Sequence, residues 1–571
     1  MTVHNAEIAD RFEQIADLLE LEGANSFRIR AYRNAARFVR GHPRSLAELV
    51  DEGADLAELP GIGQDLAGKI ATLVRTGRLP LLEQLTARVP APLVAMTRIE
   101  GLGPKRAKAL YRALRIRSLE DLARAARSGR IRELPGFGAR TEQLIAQRAA
   151  RAQGERRMRL ADAEQVARPL VAYLRGLDGV QQVEVAGSFR RRRETVGDLD
   201  VLVSARRGAQ VMAGVVRYED VAEIQAQGPT RATLRLRNDL QVDVRVVPAV
   251  SFGAALHYFT GCKAHNIAVR RLAMARGLKL NEYGLFRGEQ RVGGRTEHEV
   301  FAAVGLPVIP PELREDRGEI DAARRGRLPR LVQLDDLRGD LHCHSRATDG
   351  RDTIEAMARA AAARGYEYLS INDHSRHVTV AHGLDRRRLL QQVRAIDRLN
   401  AKLEGITVLK SVEVDILEDG RLDLPDDVLK ELDFTVCAIH YGFGYGRARQ
   451  TARILRAMDN LHFSILAHPT GRLINAREPC EIDLERVLEG ARERGRIMEL
   501  NAQPDRLDLD DRACRLAKEI GVKVAIATDA HRAADLDLMR FGVDQARRGW
   551  LERTDVVNTR PLAELRRLLR P

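Results

Sequence analysis

Cysteine is scarce and never paired in a motif. Cys262, Cys343, Cys437, Cys480 and Cys514 are the five in 571 residues, and none forms a CxxC. That argues against a disulfide framework and against a zinc finger. Long hydrophobic runs are also missing. None approaches the ~18 apolar residues that a membrane helix needs, and no apolar N-terminal stretch has the make-up of a secretion signal. A soluble, cytoplasmic, monomeric protein with no membrane partner is therefore expected. What the chain does hold is an ordinary apolar content of 44% in a length too great for one core, so three or more domains are expected.

The net charge of +14 is unevenly spread. Residues 331–571 carry 39 basic and 40 acidic side chains, which leaves 55 of the 94 basic and 40 of the 80 acidic ones to residues 1–330. All the positive excess lies in the first 330 residues, the electrostatic footprint of a nucleic-acid partner.

The central stretch is VEVAGSFRRRRETVGDLDVLV, ending at Val203. It begins and ends as a strand by composition and alternation. Asp198 and Asp200, two residues apart on a strand, share a face. Like charges held so close call for a divalent cation with oxygen ligands, Mg²⁺ or Mn²⁺. The later string LQVDVRV puts a third carboxylate, Asp243, in an apolar strand where an unpaired charge is costly. Three carboxylates on neighbouring strands, beside Gly187-Ser188 and arginines, suit phosphoryl transfer by two metals about 3.5–4 Å apart. An isolated Gly-Asp-x-Asp is also a plain turn entering a strand.

The surrounding string resembles the nucleotidyltransferase signature of the X-family DNA polymerases: Gly-Ser, an arginine pair, then Gly-Asp-x-Asp. The resemblance continues at His257-Tyr258-Phe259-Thr260-Gly261, at Asn266 and at Asn281-Glu282-Tyr283. It implies a catalytic set of Asp198, Asp200 and Asp243. It further implies a nucleotide site built from Gly187, Ser188, Arg191, Gly197, Tyr258, Phe259, Gly261 and Asn266, with Ser188 and Arg191 on the triphosphate. Tyr258 and Phe259 would abut the sugar, and Asn266 and Arg270 would face the minor groove. Two departures stand out: Val196 replaces a frequent serine, and Gln241 stands where some members have arginine.

The first 150 residues read as helical. Three strings share the form h-x-G-h-G: Leu59-Pro60-Gly61-Ile62-Gly63, Ile99-Glu100-Gly101-Leu102-Gly103 and Leu134-Pro135-Gly136-Phe137-Gly138. Two glycines around one apolar residue make a tight turn that exposes N–H groups at a helix start, which can bind phosphate. Each string resembles a helix-hairpin-helix motif, which grips DNA backbone without reading sequence; any single copy is also readable as a plain αα-hairpin. The first copy resembles the small lyase domain of the X family, with Lys69 at the position of the attacking lysine and Arg28, Tyr32 and Arg33 where a 5′-phosphate binds. Asp65 stands where that family often has lysine, so Lys69 reads equally as a phosphate-binding or solvated side chain.

Beyond residue 335 the pattern changes to short β-rich strings alternating with helical ones: DLHCH, YLSINDH, VLKSVEVDI, FTVCAIH, FSILAHP, IMELNA and VAIATDAH. Seven strand–helix units imply a parallel sheet closing as a barrel. Polar residues gather at the C-terminal ends of the strands, where barrels place their sites. There His342, His344, Asp349, His374, Glu413, His440, His468, Asp529 and His531 read as metal ligands. This half resembles the PHP (polymerase and histidinol phosphatase) domain. That resemblance implies three ions: one held by His342, His344, Glu413 and Asp529, a second by Glu413, His440 and His468, a third by Asp349, His374 and His531. The mixed donors suit Mn²⁺, Zn²⁺ or Fe²⁺.

The expected order is a lyase-like helix-hairpin-helix domain (1–85), helix-hairpin-helix fingers (86–154), an α+β nucleotidyltransferase palm (155–250), a thumb (251–318), a linker (319–335) and an α/β PHP barrel, a distorted (β/α)7 (336–571). The functional expectation is a repair polymerase filling short gaps in DNA with dNTPs. The barrel adds a metal-dependent 3′→5′ exonuclease, with 3′-phosphatase and abasic-site endonuclease activity as further options. The rivals are a polymerase whose barrel is a small-molecule phosphatase, and a non-catalytic DNA-binding scaffold.

Overall fold

In the computed structural model the chain divides into two compact units, residues 1–189 with 195–252 and residues 190–194 with 253–571. Described are residues 5–40, 42, 46–59, 61–90, 93, 96, 102–139, 141–143, 145–146 and 157–569. No helix among them is long and apolar enough to cross a membrane.

The first unit begins with a helical region. Helix Asn5–Glu22 buries Ile8, Phe12, Ile15, Leu18 and Leu19 against helix Ser26–Arg40, whose Ala35 and Ala36 let the two backbones approach. The Asn5 amide ties the helix start to the next loop, donating to the His42 carbonyl at 3.1 Å and accepting from the Leu46 N–H at 2.8 Å. Helices Gln64–Thr76 and Pro104–Leu114 each start after a glycine cap, Gly63 and Gly103.

The rest of the unit is a five-stranded sheet. Its spatial order is Val180–Val185, Asp198–Ala205, Gln241–Val247, Arg231–Leu236, Val221–Gln227, and only the second and third strands run parallel. Leu199, Val201, Val203, Val242 and Val244 are 0–1% exposed and pack with Val166 and Leu170 of helix Leu160–Arg175. That apolar sheet face fixes the register and leaves the start of strand Asp198–Ala205 at the half-buried edge.

The second unit contains a small antiparallel sheet (Lys279–Asn281, Gly284–Arg287, Gln290–Gly293) with helices Lys263–Met274 and Glu297–Ala303. Buried His265 meets Glu319 at 2.6 Å, and Arg314, fully buried, pairs with Glu297. The 319–335 stretch carries a helix, Glu319–Arg324, and a bridge from Leu331 to Glu552.

After it come seven parallel strand segments alternating with helices. Tyr368–Ile371 pairs with Gly339–Asp340 and with Thr407–Lys410. The third segment resumes as Glu413–Asp415, next to Val436–Ala438, Ile465–Leu466, Ile497–Asn501 and Val524–Ala527 in turn. A single bridge, Cys343 to Ala530, joins the last segment back to the first, and another, His374 to Glu413, joins the second to the third. The strands are buried throughout, as expected for a parallel sheet covered by helices on its outer face.

Candidate functional sites: a carboxylate pair and a histidine-rich rim

In the palm sheet the parallel register places Asp198 beside Gln241 and Asp200 beside Asp243. Asp243 is 9% exposed and fully engaged. Its Oδ1 accepts from the Thr233 hydroxyl at 2.6 Å and from Arg231 at 3.3 Å, and its Oδ2 accepts from the Gln241 amide at 2.8 Å. Gln241, which departs from the arginine of some relatives, thus orients this carboxylate. Gly187 has φ +60°, and a Cβ there would stand 2.5 Å from Asp200 Oδ2. Only glycine lets the turn pack on that carboxylate.

The arginine turn after Ser188 belongs to the second unit, where its charges are matched. Arg190 pairs with Glu297 at 2.7 Å. Arg191, 8% exposed, bonds Glu315 at 3.0 Å and the Thr260 carbonyl at 2.8 Å. Arg192 reaches Asp544 at 2.8 Å, and Glu194 reaches Arg472 at 2.6 Å. Nearby, Asn266 donates to the Tyr258 carbonyl at 2.6 Å, and a Cβ at Gly261 would strike Asn266 Oδ1. The Tyr258 and Phe259 rings meet edge to face at 5.0 Å, and Arg270 is exposed on its helix.

In the helical region Gly61 (φ +79°) and Gly136 (φ +83°) make the turns, and among the described residues nothing lies within 4 Å of where a Cβ would stand at Gly61, Gly63, Gly103, Gly136 and Gly138. Such turns leave room for a phosphate backbone. Gly101 lies outside the described residues. Lys69 forms an ion pair with Asp65, one helical turn away, and its ammonium stands 6.0 Å from the centre of the Tyr32 ring. Tyr32 is buried edge-on against Phe12, and among the described residues its hydroxyl has no hydrogen-bond partner. Arg28 is exposed, and Arg33 pairs with Asp17 and Glu20.

The barrel rim gathers all nine residues read as ligands. Three groups have donor atoms close enough to share an ion: His344, Asp349, His374 and His531; His342, His344 and Asp529; His374, Glu413 and His440. His344 and His374 each belong to two groups, a finer sharing than the three-ion division implied by the resemblance. His468 Nε2 lies 2.9 Å from Glu413 Oε1, and His440 Nε2 lies 3.2 Å from the same oxygen. His374 Nδ1 and Glu413 Oε2 are buried 2.7 Å apart, a separation that two ligands of one cation can also take. His468 (φ +26°) and Asp529 (φ +51°) adopt left-handed backbone, the local strain that surrounding structure tolerates at working sites.

The electrostatics agree. Burial works against charge on His374, yet Glu413 and Asp349 push its pKa up to about 11. Burial likewise opposes His440 and His531, which Glu413 with Asp415, and Asp349 with Asp529, hold up to about 9. Glu413, despite its burial, is driven well below the carboxylate range by the imidazoles around it. The carboxylates thus favour the protonated form of His342, His374, His440 and His531, while burial pulls His344 the other way; a divalent cation would take the place of those protons.

The second layer of this site was not read from the sequence. Glu499 accepts from His342 Nδ1 at 2.6 Å and from the His468 N–H. Asp415 bonds His440 Nδ1 at 2.6 Å, and Asn501 bonds Asp529. Glu413/Asp415 and Glu499/Asn501 are pairs two apart on strands, the spacing that singled out Asp198 and Asp200. Applied to the later strands, it would have found them.

Comparison with known proteins accounts for the whole chain. Residues 3–79 match a helix-hairpin-helix domain, 94–151 a helix-hairpin-helix tandem, 157–249 the DNA polymerase beta palm and 255–315 the DNA polymerase beta thumb. Over 574 aligned residues, spanning all of both proteins, the chain is 38% identical to the DNA polymerase/3′-5′ exonuclease PolX of Bacillus subtilis. The chain belongs to the X-family DNA polymerases with a C-terminal PHP domain. Two further relatives each match part of this X-family chain. Rat DNA polymerase lambda is 28% identical over 55% of this chain and 57% of its own. A probable phosphatase of Thermoanaerobacter is 29% identical over 38% of this chain and 89% of its own, matching the PHP part.

Proposed function

We propose that this chain is a DNA-directed DNA polymerase that fills short gaps, with a metal-dependent 3′→5′ exonuclease in its PHP domain. The observation that carries the polymerase is the parallel register of Asp200 with Asp243 two residues past Asp198, in a chain whose positive excess lies entirely in the polymerase part. Asp198, Asp200 and Asp243 would hold two Mg²⁺ or Mn²⁺ ions, which would supply charge neutralisation on the attacking and leaving oxygens. Ser188 and Arg191 hold the triphosphate, Arg191 exchanging Glu315 for phosphate. Gly187 and Gly197 let the backbone approach, and Tyr258, Phe259, Gly261 and Asn266 form the sugar side. The helix-hairpin-helix glycines hold primer and template by their backbones, Arg270 faces the minor groove, and Lys69 serves as a phosphate-binding lysine.

The PHP rim residues would hold up to three Mn²⁺, Zn²⁺ or Fe²⁺ ions, whose chemistry would be to polarise a phosphodiester and lower the pKa of an attacking water. Glu413, which meets His374, His440 and His468, would be shared between ions, and Glu499 and Asp415 fix the imidazoles of His342 and His440. A second reading, a phosphatase for small phosphoesters, draws support from the probable phosphatase matching this part. The deciding experiment offers purified protein, with Mn²⁺, a labelled 3′-recessed primer and p-nitrophenyl phosphate. Preference for the primer upholds the exonuclease; rapid turnover of the small ester alone replaces it with the phosphatase.

A further inference from the structure

Beside the metal rim lies an open cleft of about 570 Å³ that the ligand set does not use. Its walls are the loop after His440 and the turn after Asp415, and they include His377, Leu417, Tyr441, Tyr445, Arg421 and Arg449. Tyr441 directly follows a ligand, so anything resting on its ring lies one residue from the rim. Its ring is 41% exposed, meets the His377 imidazole edge-on at 4.8 Å, and donates its hydroxyl to the His377 carbonyl at 3.0 Å.

The platform is built rather than incidental. Arg453, only 5% exposed, runs beneath it and donates to the carbonyls of Leu417 at 2.9 Å and Tyr441 at 2.8 Å. Gly442 takes φ +74°, and a Cβ there would stand 2.6 Å from the Tyr445 ring, so the loop is close-packed. Arg449 lies over that ring at 4.0 Å. Leu417 is two residues beyond Asp415, whose carboxylate fixes His440, so cleft and ligand share one backbone frame. The acidic groups of the cleft are occupied: Glu418 by Tyr445 and Arg449, Asp419 by Arg421.

A held, half-exposed aromatic ring with guanidinium groups around it suits a nucleobase and its phosphate, since every base has a π-face to stack. We propose that this cleft is the subsite for the 3′-terminal nucleotide of a DNA strand, its base stacked on Tyr441 and its backbone beside Arg421 and Arg449. The inference rests on the exonuclease reading and adds to it a base-dependent contact.

The test uses the full-length protein, Mn²⁺ and a single-stranded 3′ tail. Tyr441→Ala and Tyr441→Leu should raise KM for degradation about tenfold, the order of one lost base stack, with kcat nearly unchanged, and Tyr441→Phe should restore it. An abasic 3′-terminal nucleotide should cost the wild type the same tenfold and cost Tyr441→Leu nothing further. A 3′-terminal 2-aminopurine should be quenched on binding by the wild type and not by Tyr441→Leu. A deoxynucleoside monophosphate should compete only at far higher concentration than the oligonucleotide; equal competition would make the cleft a free-nucleotide site and overturn the assignment. Wild-type KM in both variants, or quenching that survives Tyr441→Leu, also overturns it. If no DNA is degraded but the quenching difference stands, the exonuclease reading falls and the subsite remains.

Discussion

The palm and the PHP rim both point to divalent metals, but they are prepared for them differently. The palm offers carboxylates alone, on two strands of one sheet, and Asp243 is satisfied by Thr233, Gln241 and Arg231. Among the described residues, the groups close enough to share an ion all lie in the rim, none in the palm. The rim offers imidazoles and carboxylates from several strand ends, buried, overlapping and backed by Glu499 and Asp415. The contrast suits the ions proposed for each site. Mg²⁺ dehydrates reluctantly and is bound by one or two carboxylates plus substrate phosphates, so a palm completed by its nucleotide needs no closed cage. A softer ion held by several imidazoles needs its cage built in advance.

The largest effects should come from breaking each site alone. Asp243→Ala or Asp198→Ala should reduce nucleotide addition on gapped DNA to background and leave primer degradation intact. Glu413→Ala should remove Mn²⁺-stimulated degradation and leave addition intact, with His344→Ala severely impaired; both are read on one labelled gapped substrate. Loss of both activities from either change would show that the two sites do not work separately.

Next come the residues behind the ligands. Glu499→Gln should weaken Mn²⁺ activation of the exonuclease about 10–100-fold, the usual cost of an outer-shell partner, measured by metal titration. Gln241→Leu should raise the Mg²⁺ and dNTP requirement of addition by only about fivefold, the worth of one ordinary hydrogen bond. Equal penalties would contradict the contrast between a cage built in advance and one completed by substrate.

A further expected effect is on pH, and it is steep. His374, His440 and His531 hold protons up to about 11, 9 and 9, and an ion must displace them. Apparent Mn²⁺ affinity of the rim should therefore rise between pH 6 and 9, by about tenfold per unit for each proton displaced. Calorimetry in buffers of different ionisation enthalpy counts those protons. A flat profile would mean that the ion does not replace them.

Much of this was legible in the residues. The helix-hairpin-helix glycines, the strand carrying Asp198 and Asp200, and the alternation of strands with HxH and DxH ends are local patterns of spacing two or of Gly-x-Gly. They fold the same way wherever they stand, so their element types and site residues could be read directly. The partners of the arginine turn could not. Arg192 is matched by Asp544 and Glu194 by Arg472, across roughly half the chain. Nor could the overlap of the rim's groups through His344 and His374, nor the hydrogen bond from His342 to Glu499, 157 residues on.

From the order of residues alone came the kinds of chemistry: carboxylates at i and i+2 for oxygen-loving ions, imidazoles at strand ends for softer ones, and a basic first half for a phosphate backbone. Those follow from side-chain type and a backbone period, which chain neighbours enforce. Packing settled which carboxylate faces which, through the parallel register of Asp200 with Asp243 and the bridge closing Cys343 on Ala530. Packing also set the Tyr441 ring against His377, 64 residues back in the chain. Such pairings join segments far apart in the chain, and only burial of the apolar faces between them fixes their distance.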